Sequence, residues 1–336
     1  MSNSLPEPYG RPTLRQTLAG WLTAVAAAAL FSIVGLKRFE PWDQVLDLWD
    51  AGVSPLLLAV TGHPHFFRYL TAYPGFLWGE LYPDFGFSLY ISLFFAFNVV
   101  LWRGLSFMTT GRSPTVLAWC GFLAAHFFMN GRGVIAWTSW LLCLSLCLRL
   151  TRGPVNGLKP LLLVAFSCWL AAVSTGVFIV VVASFALFYL QYRQRTPMKP
   201  LRKAVLLAIA APVMFYVGQY LVLAIMKNID FFGGGFEGVY HMLAHGLGRV
   251  LFGNELLAVL LVAAAAFSLL FLVIFVRMRN RPFTPVETLI GLACGGGLFG
   301  LTVLTMAVPL VLLYPQTRSG ARASAVTPGG HISLAE

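Results

Sequence analysis

The chain has 336 residues, 58% hydrophobic and only 10% charged, with a mean hydropathy of +0.79 and a formal net charge of +11. A soluble domain carries roughly 25% charged and about 45–50% apolar residues. There is too little polar surface here to cover a globule in water, which excludes a cytosolic or secreted soluble enzyme. Nucleic acid is not the expected partner either, because the basic residues sit in short clusters between apolar runs, as membrane proteins mark their cytoplasmic loops.

The expected fold is all-α: a polytopic transmembrane helix bundle of about nine spans, each needing about 20 apolar residues because lipid cannot satisfy free backbone groups. Residues 1–16 form a cytoplasmic tail, 17–314 a single membrane domain, and 315–336 a Ser-, Gly-, Ala-, Thr- and Pro-rich disordered tail. The first span, 17–36, follows a polar stretch with Arg11 and Arg15 and has no small-residue cleavage site, so it reads as an anchor. Spans follow at 86–102, 113–129, 134–148, 158–173, 176–191, 204–226, 251–276 and 285–314. The pair within 158–191 must turn at Ser174-Thr175-Gly176, so both helices are short, and Gly295-Gly296-Gly297 interrupts the last span.

Orientation follows from charge. Of the 23 basic residues, 15 fall in alternate loops on one face beside only Glu7 and Glu287, a net of +13. The remaining 8 basic and 10 acidic residues give −2. The positive-inside rule makes the N-terminus cytoplasmic. His63, His65, His126, His241 and His245 then map to the external face or the outer end of a span, so a reactive site is expected to open outward. The five cysteines (Cys120, Cys143, Cys147, Cys168, Cys294) all lie in apolar runs and read as buried hydrophobes, without metal-ligand spacing.

Three places concentrate polar chemistry. Residues 37–85, a long external loop, carry Asp43, Asp47 and Asp50 at helical spacing, Arg68, many aromatics, and a short apolar stretch at 54–61 that dips into the interface. This is either an interfacial aromatic belt or a substrate platform on which rings stack. Next, Asn130-Gly131-Arg132-Gly133 joins two spans, and Arg132 either offers its planar fork to phosphate or snorkels from a tight turn. In the second external segment, 227–250, Glu237, His241, His245 and Arg249 recur every four residues as one polar stripe, either lining an aqueous cavity or lying along the surface. The stripe lacks the Glu beside its first His that a metal-dependent hydrolase needs, and no metal ligand is assigned. Ser174 or Thr175 is either a polar contact for a substrate or an ordinary turn and cap residue. No Walker A loop, GxSxG or EF-hand pattern is present.

Tyr73-Pro74-Gly75-Phe76, Asn130-Gly131-Arg132-Gly133-Val134-Ile135-Ala136 and Val173-Ser174-Thr175-Gly176-Val177-Phe178 resemble, in order and setting, motifs of the Wzy/EpsG-type bacterial polysaccharide polymerases. Ala72 stands where that family's first motif has an acid, and Gly133 where a Gln follows the Arg, so only Arg132 carries over residue by residue. The resemblance implies a bacterial inner-membrane enzyme that extends a glycan on a polyprenyl-diphosphate carrier at the outer face. It implies no cofactor, and other polysaccharide-assembly membrane proteins as partners beside the bilayer. Such chemistry needs cations at the leaving diphosphate, here Arg132 and Arg249, and a base at the acceptor hydroxyl, here His241, His245 or Asp50. Asn130, Arg68, Glu237 and Ser174 complete the expected substrate contacts. A transporter or flippase for an anionic solute, and a non-catalytic subunit of a larger complex, are the competing expectations.

Overall fold

A computed structural model describes residues 13–34, 38–63, 65–127, 129–151, 158–195, 229–248 and 284–296, with isolated positions in 204–227, 263–274 and 305–311. Among the described residues every regular element is an α-helix. In chain order these are α1 (Leu14–Ile33), α2 (Asp43–Asp50), α3 (Pro55–Val60), α4 (Phe66–Leu81), α5 (Gly86–Thr110) and α6 (Val116–Phe127). They continue with α7 (Gly131–Leu150), α8 (Leu158–Ala171), α9 (Thr175–Arg195), α10 (Gly235–Gly248) and α11 (Pro285–Gly296).

Among the described residues two helices, α5 with 25 residues and α7 with 20, are long and apolar enough to cross a membrane. At about 1.5 Å per residue they reach about 37 and 30 Å, the depth of a hydrocarbon core. The other apolar stretches are shorter: Thr17–Ile33 within α1, Thr175–Tyr189 within α9, and α6 and α8 with 12 and 14 residues, or about 18 and 21 Å. Of the nine expected spans, the described residues show two helices of spanning length and five shorter apolar segments. Hydropathy counts apolar residues whether or not they are helical. Residues 113–115 are non-helical, and Asn130 caps α7, so the apolar run 113–129 is longer than the helix inside it. The expected spans 204–226 and 251–276, and the tail 315–336, lie largely or wholly outside the described residues.

α7 is the axis of the described body. Every residue from Val134 to Leu148 is buried, Trp137 and Trp140 among them. α5, α8 and α9 pack around it, and α1 and α4 pack on α5. Small residues set the closest approach. Ser139 donates to the Ser167 carbonyl at 2.7 Å, and Ser167 donates back to that of Ser139 at 2.9 Å, which holds α7 against α8 as small polar residues do in membrane bundles. Apolar side chains also cover the outside: Leu14, Leu18, Leu22 and Val25 on α1, and Leu158, Leu161 and Leu162 on α8, are exposed.

The expected external loop 37–85 is itself largely helical. Asp43, Asp47 and Asp50 lie on α2 as their spacing predicts. Ser54 caps α3, accepting from the Leu57 amide, with Pro55 pre-set at the first turn. α4 carries the Tyr73-Pro74-Gly75-Phe76 motif. Its rings pack on the protein itself, Phe76 stacked on Trp49 at 4.8 Å and Tyr73 edge-on to Trp49 at 5.5 Å. A side chain at Gly75 would come within 2.6 Å of the Tyr90 ring, so this glycine lets α4 lie on α5. Farther on, Gly233, Gly234 and Gly235 have φ of 109°, 77° and 55°, a left-handed run that side chains would strain, and it turns the chain into α10. α11 opens on a Thr284/Glu287 capping box, and the expected break at Gly295-Gly296-Gly297 lies at the limit of the described residues.

Candidate functional site

The corner between α3 and α4 gathers cationic side chains. Gly62, at φ +62°, turns the chain out of α3, and His63 and His65 follow. The His63 Nδ1 accepts from the His65 amide at 3.2 Å, and the two rings meet edge to face. One turn into α4, Arg68 is only 6% exposed. Its guanidinium binds three elements at once. Nη1 donates to Gln44 Oε1 on α2 at 2.8 Å and to His65 Nδ1 at 3.3 Å, and Nη2 donates to Thr175 Oγ1 at the start of α9 at 3.0 Å. Because guanidinium can only donate, Nδ1 of His65 is an acceptor, and the proton of the neutral ring sits on Nε2. Three residues on, Thr71 accepts from the Trp169 indole of α8 at 2.9 Å, so one face of α4 is fastened to the α8–α9 hairpin.

Arg132, half-buried in the first turn of α7, and Lys227 also act on this corner. Burial, then the charges of Arg68, His63, Lys227 and Arg132, lower the His65 pKa to about 4. His63 is lowered by burial and then by Lys227. The corner holds the Arg68 guanidinium and the His65 imidazole, within electrostatic reach of Lys227 and Arg132. An anion placed there relieves their mutual repulsion and meets planar donors suited to phosphate oxygens.

The sequence-derived candidates divide. Arg68 and Arg132 come to this corner. Ser174 does not make the contact: it lies buried in the 172–174 turn, and its neighbour Thr175 supplies the hydroxyl to Arg68. The Asn130 side chain is engaged in capping α7, accepting from the Gly133 amide at 2.9 Å. Asp50 is exposed at the far end of α2, six residues from Gln44 and about 9 Å along the helix. Glu237 and His241 lie one turn apart on α10 as expected, with Nε2 to Oε1 at 3.7 Å and side chains 79% and 45% exposed, so this pair faces outward. His245 is helical on the same element, and Arg249 lies outside the described residues. His126, expected to face outward, is wholly buried beside Asn98 and Trp137.

Sequence reasoning missed Gln44 and Lys227 as partners, while His65 and Thr175 were named without being joined to Arg68. His63, His65 and Arg68, within the ten positions before the Tyr-Pro-Gly-Phe motif, were a usable signal. Gln44 and Lys227 carried none, since only the packing of separate elements brings them in. Among the described residues no group of three or more His, Cys, Asp or Glu could hold a metal ion. Compared with protein-family models, with curated proteins and with solved structures, the chain matches none.

The His65 environment sets a pH dependence. Its folded pKa lies below the ordinary 6.5, so between the two values the unfolded chain binds more protons. The stability linked to this ring is therefore complete above 6.5 and is lost as pH falls toward about 4. Thermal unfolding of the detergent-solubilised protein should show a falling midpoint across that interval, and His65→Gln should flatten it. Identical profiles would remove His65 from the account.

Proposed function

We propose that the protein is a multi-pass enzyme of the bacterial inner membrane, N-terminus cytoplasmic, that lengthens a glycan carried on a polyprenyl diphosphate at the outer face. The observation that carries this reading is the buried Arg68 guanidinium, tied to α2 and α9 and flanked by His65, Arg132 and Lys227. It is a prearranged cationic corner on the side that the charge distribution assigns to the exterior. In the reaction the bond between the sugar anomeric carbon and the diphosphate oxygen breaks, and a new bond forms from that carbon to an acceptor hydroxyl. The hydroxyl proton passes to a base, and the electron pair leaves with the diphosphate, where Arg68, Arg132 and Lys227 stabilise the developing charge. His241, with Glu237 one turn away to steady its imidazolium, is the first candidate base, and His245 and Asp50 are the others.

A second reading, a transporter of an anionic solute, draws on the same Arg68 corner as the place where the solute is held. The test is the glycan length distribution in cells carrying Arg132→Ala or His245→Ala, with membrane insertion followed in parallel. The polymerase reading expects short chains and normal insertion in both. Normal chain length in both variants overturns it, and lost uptake or export of an anionic solute with normal chains favours the transporter.

A further inference from the structure

The element that leads into the cationic corner has an exposed apolar side. On α3, Leu56, Leu57 and Val60 are 74%, 54% and 79% exposed, while Leu58 is 3% exposed and packs inward. Residues 53–62 carry no charge. The helix closes its own ends: Ser54 Oγ accepts from the Leu57 amide at 3.2 Å, and Thr61 Oγ1 donates to the Leu57 carbonyl at 2.8 Å. An apolar turn whose end groups are satisfied internally is suited to hydrocarbon, where water cannot do that work. α3 is also fixed in place. The Tyr69 hydroxyl donates to the Val53 carbonyl at 2.8 Å, and the His63 amide to that of Leu58 at 2.9 Å, so the ridge sits on α4 next to Arg68.

We infer that α3 and the Arg68 corner form one site for a phosphate-bearing lipid, whose hydrocarbon chain lies along Leu56, Leu57 and Val60 and whose phosphate meets Arg68, Arg132 and Lys227. A free phosphate has no use for the ridge. A bare membrane surface does not require a guanidinium buried against two further helices. One molecule with both an apolar chain and an anionic end uses both features. The inference rests on the proposed function only for naming that lipid as the glycan carrier; the pairing of ridge and cations stands on the geometry.

The test uses the full chain in phosphatidylcholine nanodiscs, titrated with polyprenyl phosphate, phosphatidylglycerol and inorganic pyrophosphate. Leu56→Ser combined with Leu57→Ser removes apolar contact at exposed positions, where folding is not at stake. This pair should weaken polyprenyl phosphate about tenfold and leave pyrophosphate nearly unchanged. Arg68→Gln should weaken both by about tenfold or more. Unaltered lipid binding in the Leu double variant overturns the inference, as does equal affinity of the wild type for polyprenyl phosphate and pyrophosphate. Phosphatidylglycerol binding as tightly as polyprenyl phosphate, with the same dependence on the leucines, supports the lipid site. It would tell against the carrier reading, so the two proposals can fail separately.

Discussion

Arg68→Gln is expected to lower glycan chain lengthening about a hundredfold, which corresponds to about 2.7 kcal/mol of lost transition-state stabilisation. Two effects combine. The first is charge: Arg68, Arg132 and Lys227 share one corner, and the leaving diphosphate gathers negative charge as its bond breaks. The second is position. The guanidinium spans from Gln44 on α2 to Thr175 on α9, so its loss also loosens the elements that hold the corner. Hydrogen bonds to a charged group contribute about 1.5–3 kcal/mol each, and their loss leaves Gln44 and Thr175 without this donor. Arg68→Lys keeps the charge but not the planar fork, and should fall between wild type and Gln. A purely structural role is separated by a second readout. The Arg68 charge is the largest electrostatic influence on His65 after burial, so in Arg68→Gln the His65 pKa should climb back from about 4 toward its ordinary value. The interval over which stability falls would then narrow from its acid end, and the total loss would shrink. Normal glycan chains in Arg68→Gln would remove this residue from the mechanism.

The second large effect lies in the core. Asn98 on α5 donates from Nδ2 to the Val134 carbonyl of α7 at 3.0 Å and to His126 Nε2 of α6 at 3.1 Å. His126 Nδ1 in turn lies 2.9 Å from the Phe122 carbonyl, which fixes the proton on Nδ1 and leaves Nε2 to accept. One amide therefore joins three helices at a junction where all its partners are buried, with Phe95, Phe122 and Trp137 closed around the imidazole. Asn98→Leu removes both donors and leaves two buried acceptors. The expected loss is about 2 kcal/mol, since two such groups cost about 2–6 kcal/mol in water-soluble proteins and about 1.2 kcal/mol at the average inside membrane bundles. Adding His126→Phe removes one orphan and should recover part of the loss. Unfolding midpoints of the two single variants and the double variant in detergent measure that coupling. Additive losses would mean that Asn98 and His126 do not act as a unit.

Much of the local structure could be read residue by residue. The 4 and 3 spacing of Asp43, Asp47 and Asp50 marks α2, the Ser-Pro step at 54–55 starts α3, and Thr284 with Glu287 opens α11. These are local devices: caps, turns and periodicity act within a few residues. The candidate site was readable only in part. Arg68 and Arg132 stood out as scarce charges in an apolar chain. Ser174 and Thr175 could not be told apart, because which hydroxyl faces Arg68 depends on where the α8–α9 turn ends and how α9 rotates against α4.

Sequence by itself determined the helical class and the shortage of polar surface, because both follow from composition and from short-range periodicity. It also narrowed attention to a handful of charged residues. It did not determine how many segments have spanning length, since apolar turns and caps count in hydropathy but add no helix. Nor could it place His126, which reads as an outward histidine and is the buried acceptor of Asn98. Only the tertiary structure decided that Gln44, His65, Arg68 and Thr175 meet, because Arg68 and Thr175 are 107 positions apart and their hydrogen bond exists only once α4 lies against the α8–α9 hairpin. Long-range contacts of this kind are set by packing, and packing depends on the shapes of whole helices, which no local pattern encodes.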